Sequence, residues 1–105
     1  MNRNDLLIPA VVRASPELPE LWGRLASLSP QEAELITQFG LPAGRVVTLS
    51  FEFAGEKFED VRARVTRAPR DPDGYYACAL AFLDAGQRDA LRAAVLRAAP
   101  FSPPR

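Results

Sequence analysis

Strict alternation over Arg45–Phe53, RVVTLSFEF, constrains this chain more than any other feature. Val47, Leu49, Phe51 and Phe53 alternate with Thr48, Ser50 and Glu52. A period of two in β-branched and aromatic residues makes a strand with one buried face, because successive side chains point to opposite sides of a pleated sheet. Such a strand needs partners, and the chain supplies them at once. Ala54-Gly55-Glu56-Lys57 is a short connection with a glycine for positive φ. Phe58–Ala68, FEDVRARVTRA, then resumes the alternation, with Val61, Ala63 and Val65 on one side and Arg62, Arg64 and Thr66 on the other. Phe58 has the wrong parity for the apolar face, which predicts a bulge or a late strand start near Glu59. Pro69–Gly74 is a turn by composition, and Tyr75–Phe82 is a third strand, with Tyr76, Cys78, Leu80 and Phe82 opposite Ala77, Ala79 and Ala81. Three consecutive antiparallel strands are expected.

The period then changes. Asp84–Ala99 is dense in helix formers, and Leu91, Ala94, Val95 and Ala98 make one apolar stripe. Asp84 with Gln87 resembles a capping box, and Pro100 ends the helix. Residues 100–105 read as a proline-rich tail beyond a single domain over 1–99. In the first half, Leu6–Arg13 is apolar and β-branched, with Pro9 marking an edge or a bulge. Leu21–Leu28 is a further strand, with Trp22 read as core. Residues 30–39 carry two patterns. Ser29-Pro30-Gln31-Glu32 is a good helix start, yet Ala33, Leu35, Thr37 and Phe39 alternate as a strand would. A mainly β protein follows: a small antiparallel barrel or curled sheet with one C-terminal α-helix packed on it.

Composition narrows the function classes. The chain has 105 residues, with 13 Lys+Arg against 13 Asp+Glu. A formal charge of zero argues against DNA or RNA as a partner. No apolar run approaches the roughly 18 residues of a membrane span, so no membrane insertion is expected. The N-terminus is a poor signal peptide, and a lone Cys fits a reducing compartment, so a cytoplasmic location is expected. With no His and one Cys, the commonest zinc sites and Ser-His or Cys-His nucleophile pairs are excluded. Glu52, Glu56, Glu59 and Asp60 cluster at a wet hairpin tip, a poor place for acid–base chemistry. No enzyme activity, metal or cofactor is expected.

The stretch from Leu41 to about Leu96 resembles the C-terminal part of a PilZ domain. The resemblance rests on Leu41-Pro42-Ala43-Gly44, the strand VVTLSF, the run Ala63–Arg67, the segment Gly74–Phe82 and the helix containing Leu91. It implies a six-stranded antiparallel β-barrel of PilZ type with a C-terminal helix, in which Ala33–Thr37 is a strand. It also implies a ligand, since PilZ domains are typically receptors for the bacterial second messenger cyclic di-GMP. The family binds it through an arginine-x-x-x-arginine and an [aspartate/asparagine]-x-serine-x-x-glycine turn. Guanidinium groups suit the first task because they donate bidentately to phosphates and guanine edges.

Both motifs are degraded here. Arg3 keeps one arginine of the first, with Leu7 at the other. Ser29 keeps the serine of the second, with Ser27 where the acid or amide belongs and Glu32 where the glycine belongs. Leu7 donates no hydrogen bond, and Glu32 brings a negative charge toward a ligand with two phosphates. Residues 1–52 hold 4 basic and 6 acidic residues, net −2, in the half that should hold the dianion. The resemblance therefore implies a non-catalytic signalling adaptor that works through a protein partner, as related proteins do in motility and surface behaviour. The alternative is an atypical receptor that binds cyclic di-GMP through Arg3, Ser29 and neighbours such as Arg13. Arg62, Arg64 and Arg67 are the candidate partner-binding strip, against the simpler reading of a solvated strand face. Arg88 and Arg92 read as a solvated helix face, Asp71-x-Asp73-Gly74 as a turn, and Cys78 as a buried inert thiol.

Overall fold

Six antiparallel strands close on themselves in the order β1-β2-β3-β6-β5-β4. They are β1 (Ile8–Arg13), β2 (Leu21–Leu28), β3 (Glu32–Thr37), β4 (Val46–Phe53), β5 (Glu56–Arg67) and β6 (Tyr76–Phe82), followed by helix α1 (Ala85–Ala98). The computed structural model describes residues 7–15 and 17–98, so the expected tail over 100–105 lies outside the described residues. Closure explains why every strand is needed: pairing β4 with β1 and β3 with β6 leaves no long exposed edge. The barrel is filled by one face of each strand, including Val12, Leu25, Leu35, Leu49, Val65 and Leu80, each no more than 1% exposed. Leu91 and Ala94 of α1 join this core. Mainly β, a six-stranded barrel and a C-terminal helix are what the family resemblance implies.

The parity error at Phe58 is a bulge. Leu49 pairs with Val61 and Phe51 with Phe58, so Glu59 and Asp60 together oppose Ser50. Asp60 takes φ 56°, a left-handed conformation, and the extra residue returns Phe58 to the interior, where its ring stacks on Phe51 at 5.3 Å. The bulge leaves backbone groups without ladder partners, and side chains supply them. Asp60 N–H donates to Ser50 Oγ at 3.1 Å. Gln87 Nε2 donates to Asp60 C=O at 3.0 Å, and Gln87 Oε1 accepts from Arg62 N–H at 2.9 Å. Only half of the expected capping box therefore forms. Asp84 Oδ1 accepts from Gln87 N–H at 2.9 Å, while the Gln87 side chain docks α1 on the β5 bulge instead of turning back to Asp84.

Residues 32–37 are strand. Ser29 Oγ does accept from Glu32 N–H at 3.1 Å, the bond an N-cap serine makes, but the chain continues extended. With β2 on one side and β6 on the other, β3 fills both rows of backbone bonds and buries Ala33, Leu35 and Thr37. Trp22 is a correction: it stands 66% exposed on the outer surface. The cause is parity, because Leu25 faces the interior and Trp22 lies three positions away along the same strand.

Cys78 is fully buried, and burial pushes its thiol pKa up against smaller opposing contributions from Thr37 and the Leu41 backbone. Native protein is expected to leave Cys78 unlabelled by a thiol-specific disulfide reagent over hours at about pH 8, with one equivalent reacting on unfolding. Rapid native labelling would contradict the closed barrel. The folded thiol keeps its proton to higher pH than the unfolded one, which titrates near 9.0. Its contribution to stability is thus complete below that value and is lost as pH rises through the folded value.

Candidate functional site

Two bulges aim side chains at one place on the outer surface. In β2 the register shifts between Leu25 and Ser27, which sets Ser27 opposite Glu34 of β3. In β5 it shifts between Val65 and Arg67, which sets Arg67 opposite Ala79 of β6. By simple alternation Arg67 would point inward with Val65. The bulge turns it outward, and Thr66 Oγ1 donates to the Ala79 carbonyl at 3.1 Å. Since Glu34 pairs with Ala79, one row crosses four strands: Ser27, Glu34, Ala79, Arg67. The next row is Glu32, Ala81, Arg64.

These residues line a shallow open groove of about 340 Å³ between Ser27, Ser29, Glu32 and Glu34 on one bank and Arg67 and Pro69 on the other. That is the lower end of the roughly 300–1,000 Å³ usual for small-molecule sites. Ala77 and Ala79 form its floor. Its lining carries two carboxylates and one guanidinium. Ser29 is committed locally: its hydroxyl donates to the Glu32 carbonyl at 3.0 Å, and its N–H donates to the same carbonyl at 2.8 Å. A hydroxyl has one proton, so Ser29 has none left for a phosphate oxygen.

The structure brings Ser27, Ser29, Glu32 and Arg67 together and separates the rest. Arg3 lies outside the described residues. Leu7 is about half exposed just before β1. Arg13 is ion-paired with Glu20 and does not line the groove. Arg64 donates to the Gly44 carbonyl at 3.2 Å, and Arg62 lies at the helix-docked end of β5 beside Gln87. Arg92 pairs with Asp89, as a solvated helix face would. Arg88 departs from that reading, since it is partly buried and donates to the Phe82 carbonyl at 3.2 Å. Glu56 is ion-paired with Arg97, tying the hairpin to α1. Asp71 Oδ1 accepts from Asp73 and Tyr75 N–H, the expected turn. Glu34 was missed from the sequence, although it shares a strand face with Glu32 and could have been found from that spacing. A second shallow groove flanks Trp22, lined by Pro9, Arg24, Ile36 and Tyr75. Among the described residues no helix is long and apolar enough to cross a membrane.

No family model matches this chain, and no curated protein matches it. Among solved structures, that of the Bacillus subtilis inhibitor of motility (MotI/DgrA) has a TM-score of 0.73 and 16% sequence identity. The match covers 95% of this chain and 50% of that one, so this chain spans about half the length of its structural neighbour. At that identity the likeness is one of fold.

Proposed function

We propose that this protein is a PilZ-type signalling domain of the bacterial cyclic di-GMP system that acts without catalysis, as a protein-interaction adaptor. The fold shared with an inhibitor of motility supports the general class. The groove chemistry supports the specific reading. Its lining holds Glu32 and Glu34 against Arg67, and the one hydroxyl proton of Ser29 is taken. A bis-phosphorylated ligand placed there would meet more negative charge than positive. Two like charges about 8 Å apart at a protein surface cost about 2 kcal/mol, enough to erase a micromolar site when several such pairs add. In this reading the protein works in the cytoplasm, and the outward basic residues Arg64 and Arg67 meet a protein partner.

Titration with cyclic di-GMP tests this. Backbone amide shifts around Ser27–Glu34 are expected to stay small and unsaturated into the millimolar range. Saturable micromolar shifts there would favour the receptor reading instead. The combined variant Leu7→Arg, Ser27→Asp, Glu32→Gly restores a second guanidinium, an acid and an open turn. It is expected to gain at least about tenfold in affinity, roughly one charge-assisted hydrogen bond. No gain would show that these positions do not correspond to the family's ligand residues.

A further inference from the structure

We infer that the outer face of β3, β6 and β5 is a self-docking surface on which a second copy of this chain sits across a two-fold axis. The inference rests on the reading that this face meets protein rather than nucleotide, and it names that protein. Each of the two rows has an acid, an alanine and an arginine: Glu32, Ala81, Arg64 and Glu34, Ala79, Arg67. Neighbouring strands lie about 4.8 Å apart, so the acidic and basic backbones of one row are separated by about 10 Å, with only a methyl group between them. Among the described residues no ion pair spans that gap; the three that form lie elsewhere.

The face thus carries an acidic rail on β3 and a basic rail on β5, either side of a low floor. Such a pattern is its own complement. A two-fold axis lying along β6 in the plane of contact turns a second copy face to face and exchanges its β3 with β5. Each row stays in register, so Glu32 meets Arg64 and Glu34 meets Arg67, four opposite-charge pairs in all. An axis perpendicular to the strands in the same plane would instead set acid on acid, so the charges choose one orientation. The zero net charge adds no long-range repulsion between copies. Alanines let the two sheets approach closely. Three strands make a small contact, below the usual stable interface of roughly 1,600 Å² in total, so the dimer is weak and salt-sensitive, with micromolar dissociation.

Sedimentation velocity of the full chain between roughly 5 and 200 μM tests this, at low and high salt. The wild type is expected to shift toward dimer with concentration, and high salt to weaken it about tenfold. Glu32→Lys with Glu34→Lys makes both rails basic; Arg64→Glu with Arg67→Glu makes both acidic. Each variant alone is expected to be monomeric, with wild-type circular dichroism, while an equimolar mixture forms a heterodimer tighter than the wild-type dimer. A wild type that stays monomeric throughout would overturn the inference while leaving the adaptor reading intact. So would a dimer that both rail variants keep but Trp22→Ala abolishes, which would assign the contact to the Trp22 surface. Saturable cyclic di-GMP shifts in Ser27–Glu34 of the monomer would overturn the adaptor reading and this inference with it.

Discussion

Leu49→Ala is expected to lower the unfolding free energy by about 3–4 kcal/mol, read as a lower urea midpoint with an unchanged slope. Leu49 has no exposed surface and lies at the middle of β4, between β1 and β5. Truncation removes three buried carbons and leaves a cavity that a closed barrel collapses around poorly, because each wall strand is hydrogen-bonded on both sides. In a domain with roughly 5–15 kcal/mol of total stability, that loss is a large share. Trp22→Ala is the contrast. It removes a larger side chain, but one already 66% exposed, and is expected to cost less than about 1 kcal/mol. A Trp22 variant as damaging as the Leu49 variant would contradict the outward orientation of that residue.

Gly23→Ala carries the second large effect, and its sign is the test. Strand propensity alone favours alanine over glycine by roughly 0.5–1 kcal/mol. Packing opposes it. A Cβ at position 23 would lie 2.9 Å from the Ile36 carbonyl oxygen and 3.0 Å from both Leu35 Cδ1 and Thr37 Cγ2. The carbonyl belongs to the paired β2–β3 ladder and cannot swing aside as a surface side chain would. The expected result is a net loss of about 2 kcal/mol, with amide shifts concentrated in residues 22–25 and 35–38. Unchanged or increased stability would mean that β2 and β3 are not packed this closely.

Several features were legible in advance because a local pattern carries them. RVVTLSFEF, VRARV and YYACALAF each name their own buried face, and the helix announces itself by its change of period. The bulge near Glu59 was readable from one misplaced phenylalanine. Trp22 faces outward, against the expectation from its residue type, for a reason also visible in the sequence: Leu25 sets the inward parity of that strand, and position outweighs residue type. Ser27, Ser29 and Glu32, singled out by the resemblance, do line one groove, and Glu34 was within reach from its spacing to Glu32, but the convergence of Arg67 on the same groove was not. That convergence depends on a bulge between Val65 and Arg67, and nothing in ARVTR marks the shift.

By itself the sequence determined which side of β4, β5 and β6 meets the core and where the helix lies. These follow from side-chain chemistry and from periods of two and 3.6 residues, which act within a few neighbours. Tertiary structure settled the competition between the helix and strand patterns at residues 32–37, in favour of the strand that the resemblance implies, and it alone decided that Gln87 reaches β5 instead of its own cap and that an acidic and a basic rail face outward across an alanine floor. Each of those outcomes depends on hydrogen bonds between segments distant in the chain, and such bonds have no local signature: they exist only once the barrel closes.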